Sequence, residues 1–224
     1  MRCTWCCQPI IRDLTMTEIL LPWLIKPECC HNCRQRLQKI SPEDCCSTCM
    51  NIEKDCRDCA YWKTIYPEYD FAHKALYRYN TGFQEWLHAY KFLGDYRLRE
   101  TFAIEIKNYL KKYSDFLICA IPLSEERLAQ RGFNQAEELL KAAHIPSVTL
   151  LKRKIDLTPQ AHKNRRERLA MEQPYELEVP ADKIKNKKIL LVDDVYTTGR
   201  TLFHGAELLL DAGAQQVRTF SLAR

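Results

Sequence analysis

The sequence has little glycine and no long apolar stretch, and both shortages exclude classes of protein. A membrane-spanning helix needs about 18 apolar residues in a row, whereas the best candidate, Ile19–Ile25, is short and contains Pro22. The opening residues, MRCTWCC, lack the apolar core of a secretory signal peptide. The six glycines nowhere form the G-x-x-x-x-G-K-S/T loop of P-loop ATPases. We therefore expect a cytoplasmic protein that contains no P-loop.

Length and charge leave many functions open. The 224 residues suffice for one ordinary domain and a small additional module. Hydrophobic residues make up 46% of the chain, as is usual for a globular protein. The formal net charge of +5 permits a nucleic-acid or phosphate ligand but does not require one.

Cysteine is the abundant feature, because eleven of the twelve cysteines fall before residue 60. Four C-x-x-C pairs can be written, and two such pairs can hold one zinc ion through four sulfurs at about 2.3 Å. We therefore predict two zinc sites, each formed by two pairs that follow one another in the sequence. The predicted ligands are Cys3, Cys6, Cys30, Cys33, Cys46, Cys49, Cys56 and Cys59.

Several alternatives stay open for this cysteine-rich module, residues 1–60. The spacing alone does not fix how the pairs combine, and Cys7, Cys29 and Cys45 each adjoin a chosen ligand and could replace it. A disulfide framework would need an oxidising compartment, and an iron–sulfur cluster would imply redox chemistry for which nothing else argues. Zinc fits best, because so short a segment cannot build a large hydrophobic core and a metal can replace one.

The remainder of the chain, residues 61–224, alternates between strand and helix patterns. The apolar runs at 115–123 and 187–195 predict buried strands, and residues 147–151 predict a short strand. The spacing of apolar residues predicts helices at 81–92, 95–113, 133–143 and 201–214. We predict an α/β fold with a mostly parallel sheet and helices on both of its faces. We divide the chain into a zinc module over 1–60 and this α/β domain over 61–224.

The stretch ILLVDDVYTTGRTL, residues 189–202, predicts a site for a phosphorylated sugar. Two carboxylates at the end of a strand suit sugar hydroxyls or a hydrated Mg²⁺. The backbone N–H groups where a helix begins favour phosphate, and glycine lets a ligand approach closely. Arg131 follows a predicted strand and loop and can reach a pyrophosphate with two N–H groups. The candidate binding residues are Asp193, Asp194, Thr197, Thr198, Gly199, Thr201 and Arg131.

The segment LLVDDVYTTGRTL resembles the motif with which type I phosphoribosyltransferases bind phosphoribosyl pyrophosphate (PRPP). The resemblance implies that Asp193 and Asp194 face the ribose hydroxyls of PRPP. It further implies that residues 197–201 surround the 5′-phosphate, with Mg²⁺ on the pyrophosphate.

Together with the cysteine pairs, three more blocks resemble the ComF family of competence proteins: YKFLGD at 90–95, IPLS…RGFNQA at 121–136 and PQAHKNRRERL at 159–169. The resemblance implies a cytoplasmic factor for natural transformation, which assists the uptake and handling of single-stranded DNA at the inner membrane. It implies a ComFA-type ATPase and a DprA-type recombination mediator as partners, and only indirect association with the membrane. The alternative is an active phosphoribosyltransferase with an unidentified acceptor. No acceptor pocket, general base or other catalytic residue is apparent in the sequence.

The segment 152–168 contains seven Lys or Arg residues against Asp156 and Glu167. By resemblance it corresponds to a loop that closes over PRPP, but a run of basic residues can also follow a DNA backbone or simply face solvent. The predicted DNA contacts are Lys163, Arg165, Arg166 and Arg168. Lys91 and Arg97 are candidates for the same surface.

Other residues have less specific predictions. Phe83, Trp86 and Tyr90 lie at helical spacing, which favours a place in the core over a role as stacking platforms. We expect Cys119 to be a small buried apolar residue and His204 to lie on the surface.

Overall fold

The computed structural model describes residues 1–22, 25, 29–154 and 173–224. The α-helices are α1 (Met16–Leu20), α2 (His31–Gln35), α3 (Arg57–Ile65), α4 (Thr81–Lys91), α5 (Ala103–Leu110), α6 (Glu125–Arg131), α7 (Gln135–Ala142) and α8 (Arg200–Asp211). The β-strands are β1 (His73–Tyr77), β2 (Leu117–Ala120), β3 (Leu151–Arg153), β4 (Tyr175–Leu177), β5 (Lys188–Val195) and β6 (Gln216–Ala223). Among these residues, no helix has both the length and the apolar character needed to cross a bilayer.

The main sheet contains four strands in the order β1-β6-β5-β2, and all neighbouring pairs are parallel. The central strand β5 has Leu190 opposite Ile118 of β2 and Asp193 opposite Ser221 of β6. The predicted α/β fold with a parallel sheet is therefore confirmed.

Successive side chains of a strand point to opposite faces of the sheet. Each face of this sheet is covered by its own hydrophobic core. Leu190 and Val192 belong to a core formed with α4, α5 and α7, in which Trp86 is fully buried. Ile189 and Leu191 belong to a second core, formed with α8, the β3–β4 pair and three cysteines of the N-terminal region. Phe83, Tyr90 and Cys119 are likewise fully buried, as predicted.

Two segments depart from the predicted pattern. The predicted strand at 147–151 begins only at Leu151, and it pairs antiparallel with β4 in a separate sheet. The predicted helix over 95–113 is broken, because Tyr96–Phe102 and Lys111–Tyr113 are 3₁₀ helices on either side of α5. In the first of these, Leu98 and Thr101 are both buried, and a separation of three residues matches one turn of a 3₁₀ helix.

Helices α1, α2, α3 and α6 were not predicted. Helix α6 has a local signal: the Ser124 side chain accepts a hydrogen bond from the backbone N–H of Arg127, and Glu125 and Glu126 occupy the first turn. Arg131 therefore ends a helix instead of lying in a loop. Helix α3 runs across residue 60, where the sequence places a domain boundary, and the division into 1–60 and 61–224 stays a prediction.

Candidate functional site

Asp193 and Asp194 lie at the carboxyl edge of the sheet. The pairing of β2 with β5 ends at Ala120 opposite Val192, so that β5 extends past β2 by the length of these acids. Asp194 is buried, and one of its carboxylate oxygens lies 2.6 Å from Nζ of Lys91, the last residue of α4. Lys91 thus lies at this edge of the sheet.

Asp193 is half-buried, and its surroundings act on its pKa in opposite directions. Burial and the adjacent Asp194 carboxylate raise the pKa of Asp193 well above its usual range, while the charges of Lys91 and Arg127 act in the opposite direction. The Asp193 Oδ1 atom accepts a hydrogen bond from the backbone N–H of Asp194 at 2.8 Å. Such a carboxylate is suited to accept a hydrogen bond from a ligand hydroxyl or to bind a cation that arrives with the ligand.

Arg131 extends from the end of α6 toward the same acids. Its guanidinium donates to Gln135 Oε1 at 2.9 Å and lies 5.6 Å from the ring centre of Phe92. Burial and the neighbouring Arg127 lower the pKa of Arg131, whereas the charges of the two acids raise it. Basic residues from α4 and α6 therefore face the acids of β5, as a phosphate-bearing ligand with a bound cation would require.

Residues 197–201, called the 197–201 loop, comprise the turn after β5 and the first two residues of α8. Only glycine fits well at one position of this turn. Gly199 has a φ of +79°, and a Cβ atom at this position would collide with the hydroxyl of Tyr196. Helix α8 begins at Arg200, so that Thr201 lies in its first turn, and Thr197 and Thr198 are exposed. This strand–turn–helix arrangement directs backbone N–H groups toward the space where an anion can bind.

The remaining predicted residues are placed as follows. The predicted DNA contacts Lys163, Arg165, Arg166 and Arg168 lie outside the described residues. Arg97 is exposed and pairs with Asp95 at 2.8 Å.

The expectation that His204 lies on the surface is wrong. Only 9% of this residue is exposed, because α8 packs between the main sheet and β4. Gln173, just before β4, donates to the His204 carbonyl at 2.9 Å. Burial, with a smaller contribution from Arg200, lowers the pKa of His204 to about 4.

Eight of the N-terminal cysteines form two groups, and the pairs combine in sequence order. Within each group the four sulfur atoms lie within 4.8 Å of one another. The first cluster is Cys3, Cys6, Cys30 and Cys33, and the second cluster is Cys46, Cys49, Cys56 and Cys59. Both could hold a metal ion. The neighbouring Cys7, Cys29 and Cys45 are in neither group; the Cys45 thiol donates to the Pro42 carbonyl at 3.4 Å.

The sulfur separations fit metal coordination. They are 3.7 Å between Cys6 and Cys30, 3.8 Å between Cys46 and Cys59, and 3.5 Å between Cys49 and Cys56. Tetrahedral coordination at 2.3 Å separates sulfurs by about 3.8 Å, whereas a disulfide bond is about 2.0 Å long. Four thiols at these distances form a donor set suited to zinc.

Two side chains close to the second cluster contact the 197–201 loop, which the sequence did not indicate. Trp62 of α3 donates from Nε1 to the Thr198 carbonyl at 2.7 Å. Arg224 donates to the Thr197 carbonyl and also lies 3.6 Å from Cys49 Sγ and 3.1 Å from Asp58 Oδ2. No local pattern could have revealed these contacts, since Trp62 and Thr198 are 136 positions apart.

Comparison with known proteins adds relatives of full length. The chain is 38% identical to the competence protein ComFC of Streptococcus pneumoniae (strain ATCC BAA-255 / R6), over 100% of both chains. It is 33% identical to the competence protein ComFC of Bacillus subtilis (strain 168), over 99% of this chain and 94% of the relative. The DNA utilization protein YhgH of Escherichia coli O157:H7 is 30% identical over 48% of each chain.

Residues 128–224 match the family model of the phosphoribosyl transferase domain. This region includes the acids of β5 and the 197–201 loop. Among solved structures, a hypoxanthine phosphoribosyltransferase from Staphylococcus aureus aligns with a TM-score of 0.35 and 17% identity, over 55% of this chain and 61% of that one.

Proposed function

The chain belongs to the ComFC family of competence proteins, and from that premise we propose that it assists the uptake and handling of single-stranded DNA during natural transformation, using a phosphoribosyltransferase-like domain that binds PRPP. The observation that carries the PRPP part is the meeting of acids and basic residues at one edge of the sheet. Asp193 and Asp194 lie there beside Lys91 and within the electrostatic reach of Arg131.

Each part of PRPP has matching groups at this edge. The 5′-phosphate suits the backbone N–H groups of the 197–201 loop, and the ribose hydroxyls suit the carboxylates of Asp193 and Asp194. Lys91 and Arg131 supply positive charge for the pyrophosphate. Mg²⁺, when bound, would neutralise part of the pyrophosphate charge, and the same carboxylates offer the oxygen ligands that it prefers.

Calorimetric titration with PRPP in the presence of Mg²⁺ tests this part of the proposal. We expect saturable binding by the wild-type protein and a loss of at least about tenfold in affinity for Asp194→Asn, because a charged contact is worth about 1.4 kcal/mol or more. The matched control is Asp182→Asn, an exposed acid in the 3₁₀ helix Ala181–Lys183, which should leave affinity unchanged. Absence of PRPP binding by the wild type would refute the proposal.

The DNA part of the proposal depends on Lys163, Arg165, Arg166 and Arg168. Binding through phosphate contacts should weaken steeply as salt rises. Reversing the charge of the three arginines should reduce affinity for single-stranded DNA and flatten the salt dependence. Unchanged affinity would remove this segment from the interface. Titrating PRPP and DNA separately and then together shows whether the two ligands compete or cooperate.

We further propose that the two clusters bind zinc, and that the protein acts in the cytoplasm and reaches the inner membrane only through other proteins. A ComFA-type ATPase and a DprA-type recombination mediator are the proposed partners. Co-purification of the tagged protein with each partner tests the proposed partners. Repeating it after treatment with a zinc chelator tests whether bound zinc is needed for these interactions.

A second candidate function is phosphoribosyl transfer to an unidentified acceptor. The match of residues 128–224 to the phosphoribosyl transferase domain favours it. Single-turnover release of pyrophosphate from PRPP in the presence of candidate bases separates the two functions. Robust release of pyrophosphate by the wild type, abolished by Asp193→Ala, would establish the transferase. If the wild type releases no pyrophosphate, a binding role remains.

A further inference from the structure

We propose that the second cluster supports the 197–201 loop, so that a metal ion bound by Cys46, Cys49, Cys56 and Cys59 maintains the affinity of the loop for the 5′-phosphate. The inference deepens the proposed function and rests on phosphate binding at this loop. Two separate contacts carry it, and each joins a group next to a cluster cysteine with a carbonyl of the loop.

The first contact runs through α3. Cys56 is the residue just before this helix, and Cys59 lies within its first turn. One turn further, Trp62 is buried and donates to the Thr198 carbonyl at 2.7 Å. The indole ring also stacks on Phe203 of α8, with 4.3 Å between ring centres. A metal ion bound by Cys56 and Cys59 would fix the position of α3 and, with it, the position of the Trp62 donor.

The second contact runs through Arg224, whose side chain is only 9% exposed. Its guanidinium contacts the Cys49 sulfur at 3.6 Å, the Asp58 carboxylate at 3.1 Å and the Thr197 carbonyl. It also lies 4.5 Å from the ring centre of Tyr196, at the start of the turn. Groups that donate to metal ligands orient those ligands, and here the same guanidinium orients the loop.

Peptide planarity explains why holding these carbonyls matters for an anion. In a trans peptide the C=O and the following N–H point in opposite directions. Because the Thr197 carbonyl points toward Arg224 and the Thr198 carbonyl points toward Trp62, the N–H groups of Thr198 and Gly199 point away from those two donors. The orientation of both N–H groups is thus fixed before any phosphate arrives.

The first cluster provides an internal comparison. Within the described ranges, no hydrogen bond connects Cys3, Cys6, Cys30 or Cys33 with the 197–201 loop. The hydrogen bonds to its sulfur atoms come from the same N-terminal region, as when the Cys30 N–H donates to the Cys3 sulfur at 3.2 Å. Support of the loop is therefore assigned to the second cluster alone.

Trp62→Phe is the sharpest test, since phenylalanine keeps the stack on Phe203 but lacks the N–H donor. We expect unchanged metal content and a loss of about threefold to tenfold in PRPP affinity, the effect of one hydrogen bond. The matched control is Tyr66→Phe. The Tyr66 ring stacks on Trp62 with 5.9 Å between ring centres, and this variant removes its hydroxyl without removing a hydrogen bond to the loop. It should bind PRPP as the wild type does.

A spectroscopic measurement tests the coupling without PRPP. The chain has four tryptophans, and the indole N–H signal that disappears in Trp62→Phe belongs to Trp62. Removing metal from the wild-type protein should shift this signal, and restoring zinc should return it. If the signal stays in place and Trp62→Phe binds PRPP normally, the inference is overturned and the proposed function stands. If the wild type fails to bind PRPP, the proposed function fails and the inference with it.

Discussion

The side-chain nitrogen of Lys91 lies 2.6 Å from a carboxylate oxygen of Asp194, and the two side chains are 16% and 8% exposed. The pair joins the last residue of α4 to the carboxyl edge of β5. Because both charges are largely removed from water, each needs the other in the absence of a ligand.

Lys91→Met should therefore destabilise the protein by about 3 kcal/mol, because it leaves the Asp194 carboxylate buried without its partner. Adding Asp194→Asn should recover part of this loss, since the unpaired charge is then gone. Urea unfolding of the two single variants and the double variant measures the coupling. Strictly additive losses would show that the pair makes no net contribution.

Gly199→Ala should be far more harmful than Gly94→Ala. Both glycines have positive φ, +79° and +66°, so each alanine pays about 1 kcal/mol or more of backbone strain. A Cβ at Gly94 has no atom within 4 Å, whereas at Gly199 it meets the Tyr196 hydroxyl. That ring cannot move aside easily, because it packs 4.4 Å from His73. Thermal unfolding and PRPP binding should both separate the variants; equal effects would contradict the predicted collision.

Metal analysis of the purified protein should give about two zinc ions per chain, one for each cluster. Cys49→Ser should lower this content to about one, since it removes a fully buried ligand of the second cluster. Mass spectrometry under native conditions gives the stoichiometry directly. A folded protein that holds no metal and contains oxidised cysteines would rule out both sites.

Stability should fall as the pH decreases from about 6.5 to 4, in part because of His204. Its pKa is lowered to about 4 in the folded chain, while an unfolded histidine titrates near 6.5. Between these values the unfolded state binds more protons, so acid favours unfolding. His204→Gln cannot gain this charge, and its melting temperature should fall less over the same range. Parallel curves for both proteins would show that His204 does not titrate in this way.

Local patterns predicted much of the fold and the site. The apolar run ending in Asp193 and Asp194 indicated both β5 and the acids at its end, and the spacing of the cysteines indicated the four C-x-x-C pairs that form the clusters. Contacts between distant elements could not be read in this way. The pair of Lys91 with Asp194 depends on how α4 packs against β5, and the burial of His204 depends on how α8 packs against β4.

The three cysteines of the second cluster in the core with Ile189 and Leu191 have a consequence for the whole chain. A ligand that binds only the folded state stabilises it by mass action, about 1.4 kcal/mol for each tenfold rise in free concentration above Kd. Zinc bound inside the core of the sheet would act on the unfolding of the entire domain and not on the N-terminal residues alone. The share of intact protein in a cell would then follow the supply of available zinc.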